Sequence, residues 1–122
     1  MPRIDVVRGT DLRKGESTPR ILREKAFESA NVLVSRTRLD PGAVSGWHHH
    51  GTHDLHGFLV SGRLRLEYGP KGTEAAALNP GDFFHIPPGL VHRDVNPDRG
   101  QGLVVVNILV GSGVPVVNVD GV

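Results

Sequence analysis

GAVSGWHHHGTHDLHGFLVSG, residues 42–62, carries five of the chain's seven histidines: His48, His49, His50, His53 and His56. The other two, His85 and His92, lie in GDFFHIPPGLVHRDVN, residues 81–96, so every histidine falls in one of two short windows. In a strand, residues two apart point to the same side, so His48 and His50 face one way and His49 the other. Imidazoles spaced like this converge on one ion, but an ion needs more than two ligands. The next candidates, His53, Asp54 and His56, lie across a Gly-Thr turn. His92 has to arrive from another strand, and a barrel allows this because inward positions of different strands meet in its interior. The run is internal and only three residues long, unlike an expression tag. A solvated polar loop gives no reason for the second histidine window.

Outward from these windows, short alternating or β-branched runs recur between Gly/Pro turns: NVLVSRTRL, RLRLEYG, EAAALNPG, DFFHIP, LVVVNILVG and VPVVNV. Strands at this spacing predict an all-β sandwich or barrel. The one helical candidate is about two turns over residues 21–29, ILREKAFES, with a loop or edge strand as the other reading of that segment. YGPKGTE, residues 68–74, reads as a hairpin loop, with Gly69 and Gly72 free to take positive φ. In RLRLE, Leu64 and Leu66 share one face and Arg63, Arg65 and Glu67 the other. The arginines are expected in solvent; the functional alternative places Arg36, Arg38, Arg63 or Arg65 in the barrel mouth against an acidic substrate.

A chain of 122 residues predicts one domain spanning 1–122. The formal charge of +1, with both signs mixed along the chain, gives no reason to expect a polyanion, so no nucleic-acid partner is expected. The absence of cysteine removes disulfides, thiolate ligands and a cysteine nucleophile, and agrees with a reducing compartment. Apolar runs such as LVVVNILV, 103–110, are far shorter than a helical membrane span, and MPRIDVVRGT lacks a secretory hydrophobic region. The expectation is a soluble, cytoplasmic protein with no membrane partner.

Residues 42–62 resemble the first motif of the cupin superfamily, G(X)5HXH(X)3,4E(X)6G, with Gly42, His48, His50 and Gly62 in register. Residues 81–96 match the whole second motif, G(X)5PXG(X)2H(X)3N, at Gly81, Pro87, Gly89, His92 and Asn96. The resemblance implies a small all-β, double-stranded β-helix (jelly-roll) barrel that holds a divalent transition metal in its mouth. Iron or manganese is favoured by analogy, and nickel, copper or zinc also suit imidazole ligands. It further implies His48, His50 and His92 as ligands. The motif's glutamate slot, however, is Leu55, which cannot bind an ion. His53 is the leading fourth ligand; Asp54 or His56 can substitute only if a bulge turns the strand by one residue. Asp94, two residues past His92, is either a ligand or acid/base group or an acceptor that orients a ligand imidazole. Asp94 and His56 are the candidate catalytic residues. His49 is expected to face away from the ion, and the role of His85 is open.

The activity implied is that of a metal-dependent oxygenase acting on a small organic, possibly carboxylate, substrate. A non-redox isomerase or lyase and a non-catalytic small-molecule binding barrel are the alternatives, since one barrel hosts many chemistries. Small cupins resembling this chain commonly pair as homodimers, and the strand-like termini PRIDVV, 2–7, and VPVVNV, 114–119, offer sheet edges for that.

Overall fold

The computed structural model describes residues 2–122, which fold as two antiparallel sheets with a single 3-10 turn at Pro70–Gly72. The strands are β1 (Arg13–Lys14), β2 (Ile21–Glu28), β3 (Val32–Leu39), β4 (His48–His49), β5 (Asp54–Ser61), β6 (Leu64–Tyr68), β7 (Glu74–Leu78), β8 (Phe83–Ile86), β9 (His92–Val95), β10 (Leu103–Val110) and β11 (Val117–Asn118). One sheet has the order β1-β2-β3-β10-β5-β8 and the other β11-β4-β9-β6-β7. This is the all-β jelly-roll arrangement that the two motifs imply. No helix among the described residues is long and apolar enough to cross a membrane.

Period-two alternation sorts each strand into an inner and an outer row. Leu33 and Leu39 of β3, Leu55 and Leu59 of β5, Leu64 and Leu66 of β6, and Leu103, Val105 and Leu109 of β10 form the core between the sheets. Each such side chain contributes about 1.5–3 kcal/mol on leaving water, so the inner rows fix the register. A one-residue slip would turn a whole row to solvent.

The segment 21–29 is not helical. It forms β2, paired along its length with β3, from Ile21↔Leu39 to Glu28↔Leu33 with a register shift between Lys25 and Phe27. Leu, Arg, Glu, Lys and Ala favour helix locally, but the ladder with β3 and the burial of Ile21 override that preference. The termini differ from expectation as well. Residues 2–7 form no strand, and only Val117–Asn118 of the last stretch pairs, with β4. The sheet edges are therefore β1 and β8 in one sheet and β11 and β7 in the other. The hairpin loop after β6 is as expected: Gly69 and Gly72 take φ of 81° and 69°.

Two glycines are structurally required. Gly62, which closes motif 1 between β5 and β6, has φ of 81°, and a Cβ there would lie 2.7 Å from the Gly102 carbonyl oxygen. Gly57 faces Phe84 across the β5–β8 ladder, and any Cβ on it would overlap the Phe84 ring. Gly57→Ala should destabilise the fold by about 2–3 kcal/mol, because a Cβ that overlaps the Phe84 ring forces the ring off its rotamer or the strands apart. Urea unfolding measures this; a change below about 0.5 kcal/mol, typical of neutral surface substitutions, would show that the ring moves freely.

Candidate metal centre

His48 and His92 stand directly opposite each other on β4 and β9, so their side chains leave the same face of the smaller sheet. Their ring centroids are 4.4 Å apart. His50, just past the end of β4, brings its ring to 5.2 Å from His48 and 5.1 Å from His92. One ligand atom from each of the three lies within 4.8 Å of the others. All three residues are buried, at 2%, 7% and 2% exposure for His48, His50 and His92.

Each ring is held by its Nδ1. The Nδ1–H groups of His48, His50 and His92 donate to the carbonyls of Gly46, Pro115 and Leu90 at 2.9, 2.8 and 3.0 Å. A carbonyl only accepts, so the proton sits on Nδ1 and Nε2 carries a bare lone pair. The Nε2 atoms of His48 and His92 are buried and have no hydrogen-bond partner. Leaving a buried acceptor unpaired costs about 1–3 kcal/mol, and a metal ion removes that cost. Burial pushes the His50 pKa down to about 4, with His92 and His48 adding to the effect against the Pro115 carbonyl and Asp94. Burial likewise lowers the His48 pKa, opposed by Asp94. Both rings are therefore neutral at pH 7, the form that binds a metal. The donor set fits a transition-metal ion.

The motif-2 residues around His92 hold it in place. Pro87 accepts a hydrogen bond from the Leu90 backbone N–H at 3.3 Å, closing the Pro-Pro-Gly turn. Asn96 is 1% exposed and donates through Nδ2 to the carbonyls of Asp40 and Gln101 at 3.1 and 2.9 Å, tying β9 to two loops. Its role is structural.

Asp94 follows His92 by two residues on β9 and shares its face. Its carboxylate oxygens lie 3.8 Å from His48 Nε2 and 3.7 Å from His92 Nε2. The Nδ1 atoms are already committed to carbonyls, so Asp94 does not orient an imidazole through its second nitrogen; it faces the metal side of the rings. Burial alone would raise its pKa; His48 and His92 when protonated, then the permanent charge of Arg23 and a protonated His50, draw it below the ordinary carboxylate value. It is an ionised carboxylate at the edge of the triad.

The structure brings His48, His50, His92 and Asp94 together and leaves the other candidates out. His53 is buried, but its Nδ1–H donates to the His50 carbonyl at 2.8 Å and it is not part of the convergent set. The turn after His50 folds His53 back under the loop, where it braces the backbone of a triad residue. His56 is exposed on the outer face of β5 and stacks on His85, with centroids 4.9 Å apart. It reaches neither the triad nor a substrate in the barrel. Asp54 also faces outward and binds His85 Nε2 at 2.8 Å. No bulge turns Asp54 or His56 inward, because β5 runs in unbroken register with β10 and β8 from Asp54 to Phe58. Leu55 keeps the inward slot and is 3% exposed. His49 faces away and accepts the Gly51 N–H at 3.0 Å.

The arginines weighed for substrate binding lie outside the barrel. Arg36 and Arg38 pair with Glu24 at 3.1 and 3.4 Å, and Arg65 with Glu67 at 2.9 Å. Arg63 lines a surface cleft beside Asp98 and Arg99. The cation that does face the interior is Arg23 of β2, inside the segment weighed as helix, loop or edge strand. Its inward position follows from pairing with Thr37 and alternation with buried Ile21. Trp47 packs on the outer face of the smaller sheet, with the Arg93 guanidinium 4.5 Å over its ring.

Known proteins place this architecture. The polyketide cyclase RemF from Streptomyces resistomycificus is similar at 18% identity and a TM-score of 0.78, over 96% of this chain and 86% of that one. A protein with a double-stranded β-helix domain from Klebsiella pneumoniae is similar at 20% identity and a TM-score of 0.75, over 97% of each chain. A recombinant oxalate oxidase in complex with glycolate is similar at 20% identity and a TM-score of 0.70, over 87% of this chain and 59% of that one. At these identities the likeness concerns the fold. No match was found among curated proteins. The family model for the cupin domain matches residues 35–111, which contain both histidine windows and every strand from β4 to β10, and the chain belongs to that family.

Proposed function

We propose that the chain is a metal-dependent, oxygenase-type cupin acting on a small organic substrate. The observation that carries this reading is the pair of buried, unpartnered Nε2 atoms on His48 and His92, aimed together with His50 while every Nδ1 is locked. His48, His50 and His92 hold the ion through Nε2. Iron or manganese held by these three nitrogens would supply Lewis acidity and redox chemistry toward dioxygen. Asp94 stands where it can complete the coordination or hold a proton beside the reacting atoms, and its depressed pKa makes it an acceptor at neutral pH. Leu55, Leu39 and Val105 keep the inner wall apolar and restrict water near the triad.

The test is oxygen uptake by protein loaded with Fe(II) or Mn(II) against a panel of small 2-hydroxy and 2-oxo carboxylates. The oxygenase reading predicts uptake that stops when the loaded ion is Zn(II). Turnover that persists anaerobically with Zn(II) would replace it with an isomerase or lyase, for which RemF, a cyclase on the same fold, is a precedent. Binding without turnover under either condition would make the chain a small-molecule binding barrel.

We further propose that it works as a homodimer joined through the outer face of the larger sheet. Phe27, Phe83, Val60 and Ile108 are exposed there at 44%, 80%, 47% and 41%. Both signs of charge flank the patch, in the Arg36–Glu24 and His85–Asp54 pairs, so a two-fold copy is complementary to it. Sedimentation is expected to give twice the mass of one chain at micromolar concentration, with Phe83→Asp shifting the species to monomer; a wild-type monomer removes the proposal.

A further inference from the structure

Two cavities inside the barrel, of about 40 and 30 Å³, share five lining residues: Arg23, Thr37, His50, Leu55 and Asn107. Each has room for about two or three waters, and the second extends to His92 and Asp94. The second cavity thus has Arg23 of β2 and the triad residues His50 and His92 in one lining. Its charge is uneven. Lys25, the other cation on this wall, is neutralised by Glu28 at 3.2 Å, and Glu24 is taken by Arg36 and Arg38. Arg23 forms no ion pair among the described residues; its one side-chain hydrogen bond goes to the Glu16 carbonyl at 3.3 Å. A partly buried guanidinium with four free N–H donors is an anion site in want of an anion. Beside it, Thr37 and Asn107 place a hydroxyl and an amide on the inner face, linked at 3.3 Å.

We propose that Arg23, with Thr37 and Asn107, binds the carboxylate of a small substrate that carries a second oxygen on the adjacent carbon. The polarity of the cavity sets the orientation. Arg23 draws the carboxylate to the β2 side, and His50, which lines both cavities with it, lies on the side left for the second oxygen. This assignment rests on the metal-centre reading for what the second oxygen meets, but not for the anion site. The cavity volumes limit the ligand to a few non-hydrogen atoms beyond the carboxylate. Arg23 is a binding residue that selects charge; the triad is a separate function of separate side chains.

The experiment is an NMR titration of metal-free protein with glycolate and with its uncharged counterpart, glycolamide, for wild type, Arg23→Gln and Arg23→Lys. Glycolate is expected to bind wild type and to shift resonances of Thr37 and Asn107. Arg23→Gln should weaken it about 10- to 100-fold, the range for a charge-assisted hydrogen bond, while Arg23→Lys recovers part of the loss. Glycolamide should bind wild type no better than glycolate binds Arg23→Gln. Equal affinities of wild type and Arg23→Gln, equal binding of acid and amide, or no binding by wild type at millimolar concentration would each overturn the assignment. Metal content of the three proteins is measured separately and should be the same. A chain that binds glycolate through Arg23 yet takes up no metal would keep this assignment and sink the metal reading, so the two fail independently.

Discussion

His92→Ala is expected to lower transition-metal affinity by more than about 100-fold. Losing a group that merely orients a ligand already costs 10- to 100-fold, and His92 supplies a donor atom itself. The same loss is expected for His48→Ala, because the two rings face each other across the β4–β9 ladder at 4.4 Å and no other imidazole joins the convergent set besides His50. Asp94 lies 3.7–3.8 Å from both Nε2 atoms and can hold part of the affinity, so Asp94→Asn in the His92→Ala background should remove what remains. His56→Ala is the control. Its ring is on the outer face, stacked on His85, and its removal should leave affinity unchanged. Competition with a chromophoric chelator reads all four proteins. Retained affinity in His92→Ala would mean that the convergent imidazoles are a packing feature.

The metal-free protein is expected to lose stability steeply as pH falls below neutrality. His50 has its pKa depressed from the ordinary 6.5 to about 4 in the fold, chiefly by burial. The unfolded chain therefore takes up a proton between pH 6.5 and 4 that the folded chain refuses. Stability is full above 6.5, declines as pH drops through that window, and levels off below about 4. For His50 alone the loss is about 3 kcal/mol, and the depressed pKa of His48 adds in the same direction. Urea unfolding at pH 7.5, 6, 5 and 4 measures it. Bound metal should hold stability up until protons displace the ion, since both compete for the same Nε2 lone pairs. A metal-free protein equally stable at pH 7.5 and 5 would show that the imidazoles are hydrated and not buried as a set.

The parts of the molecule legible in its sequence are those written in local pattern. Alternation in RLRLE and LVVVNILV and the turn residues of YGPKGTE carry strand and loop identity without reference to the rest of the chain. The facing of Leu55 and His56 was also legible. Strict alternation puts His56 opposite the Leu55 face, and only a bulge could reverse it; β5 has none before Leu59. His53 was harder, because alternation does not carry across the Gly51-Thr52 turn, and the turn folds its ring under the loop. Arg23 was hidden by composition. ILREKAFES is rich in helix formers, and the register shift after Lys25 breaks the period-two signal. What decides its structure is the ladder with β3, a contact between segments that no local window contains. The Nδ1 partners of the triad were equally out of reach for His50, whose acceptor is the carbonyl of Pro115, sixty-five residues on.

The most direct test is the metal content of wild-type protein, purified without an affinity tag and measured by elemental analysis before and after reconstitution. One transition-metal ion per chain, absent from His48→Ala and His92→Ala, is the predicted result. A wild-type protein that holds no transition metal even after reconstitution would contradict the account at its centre.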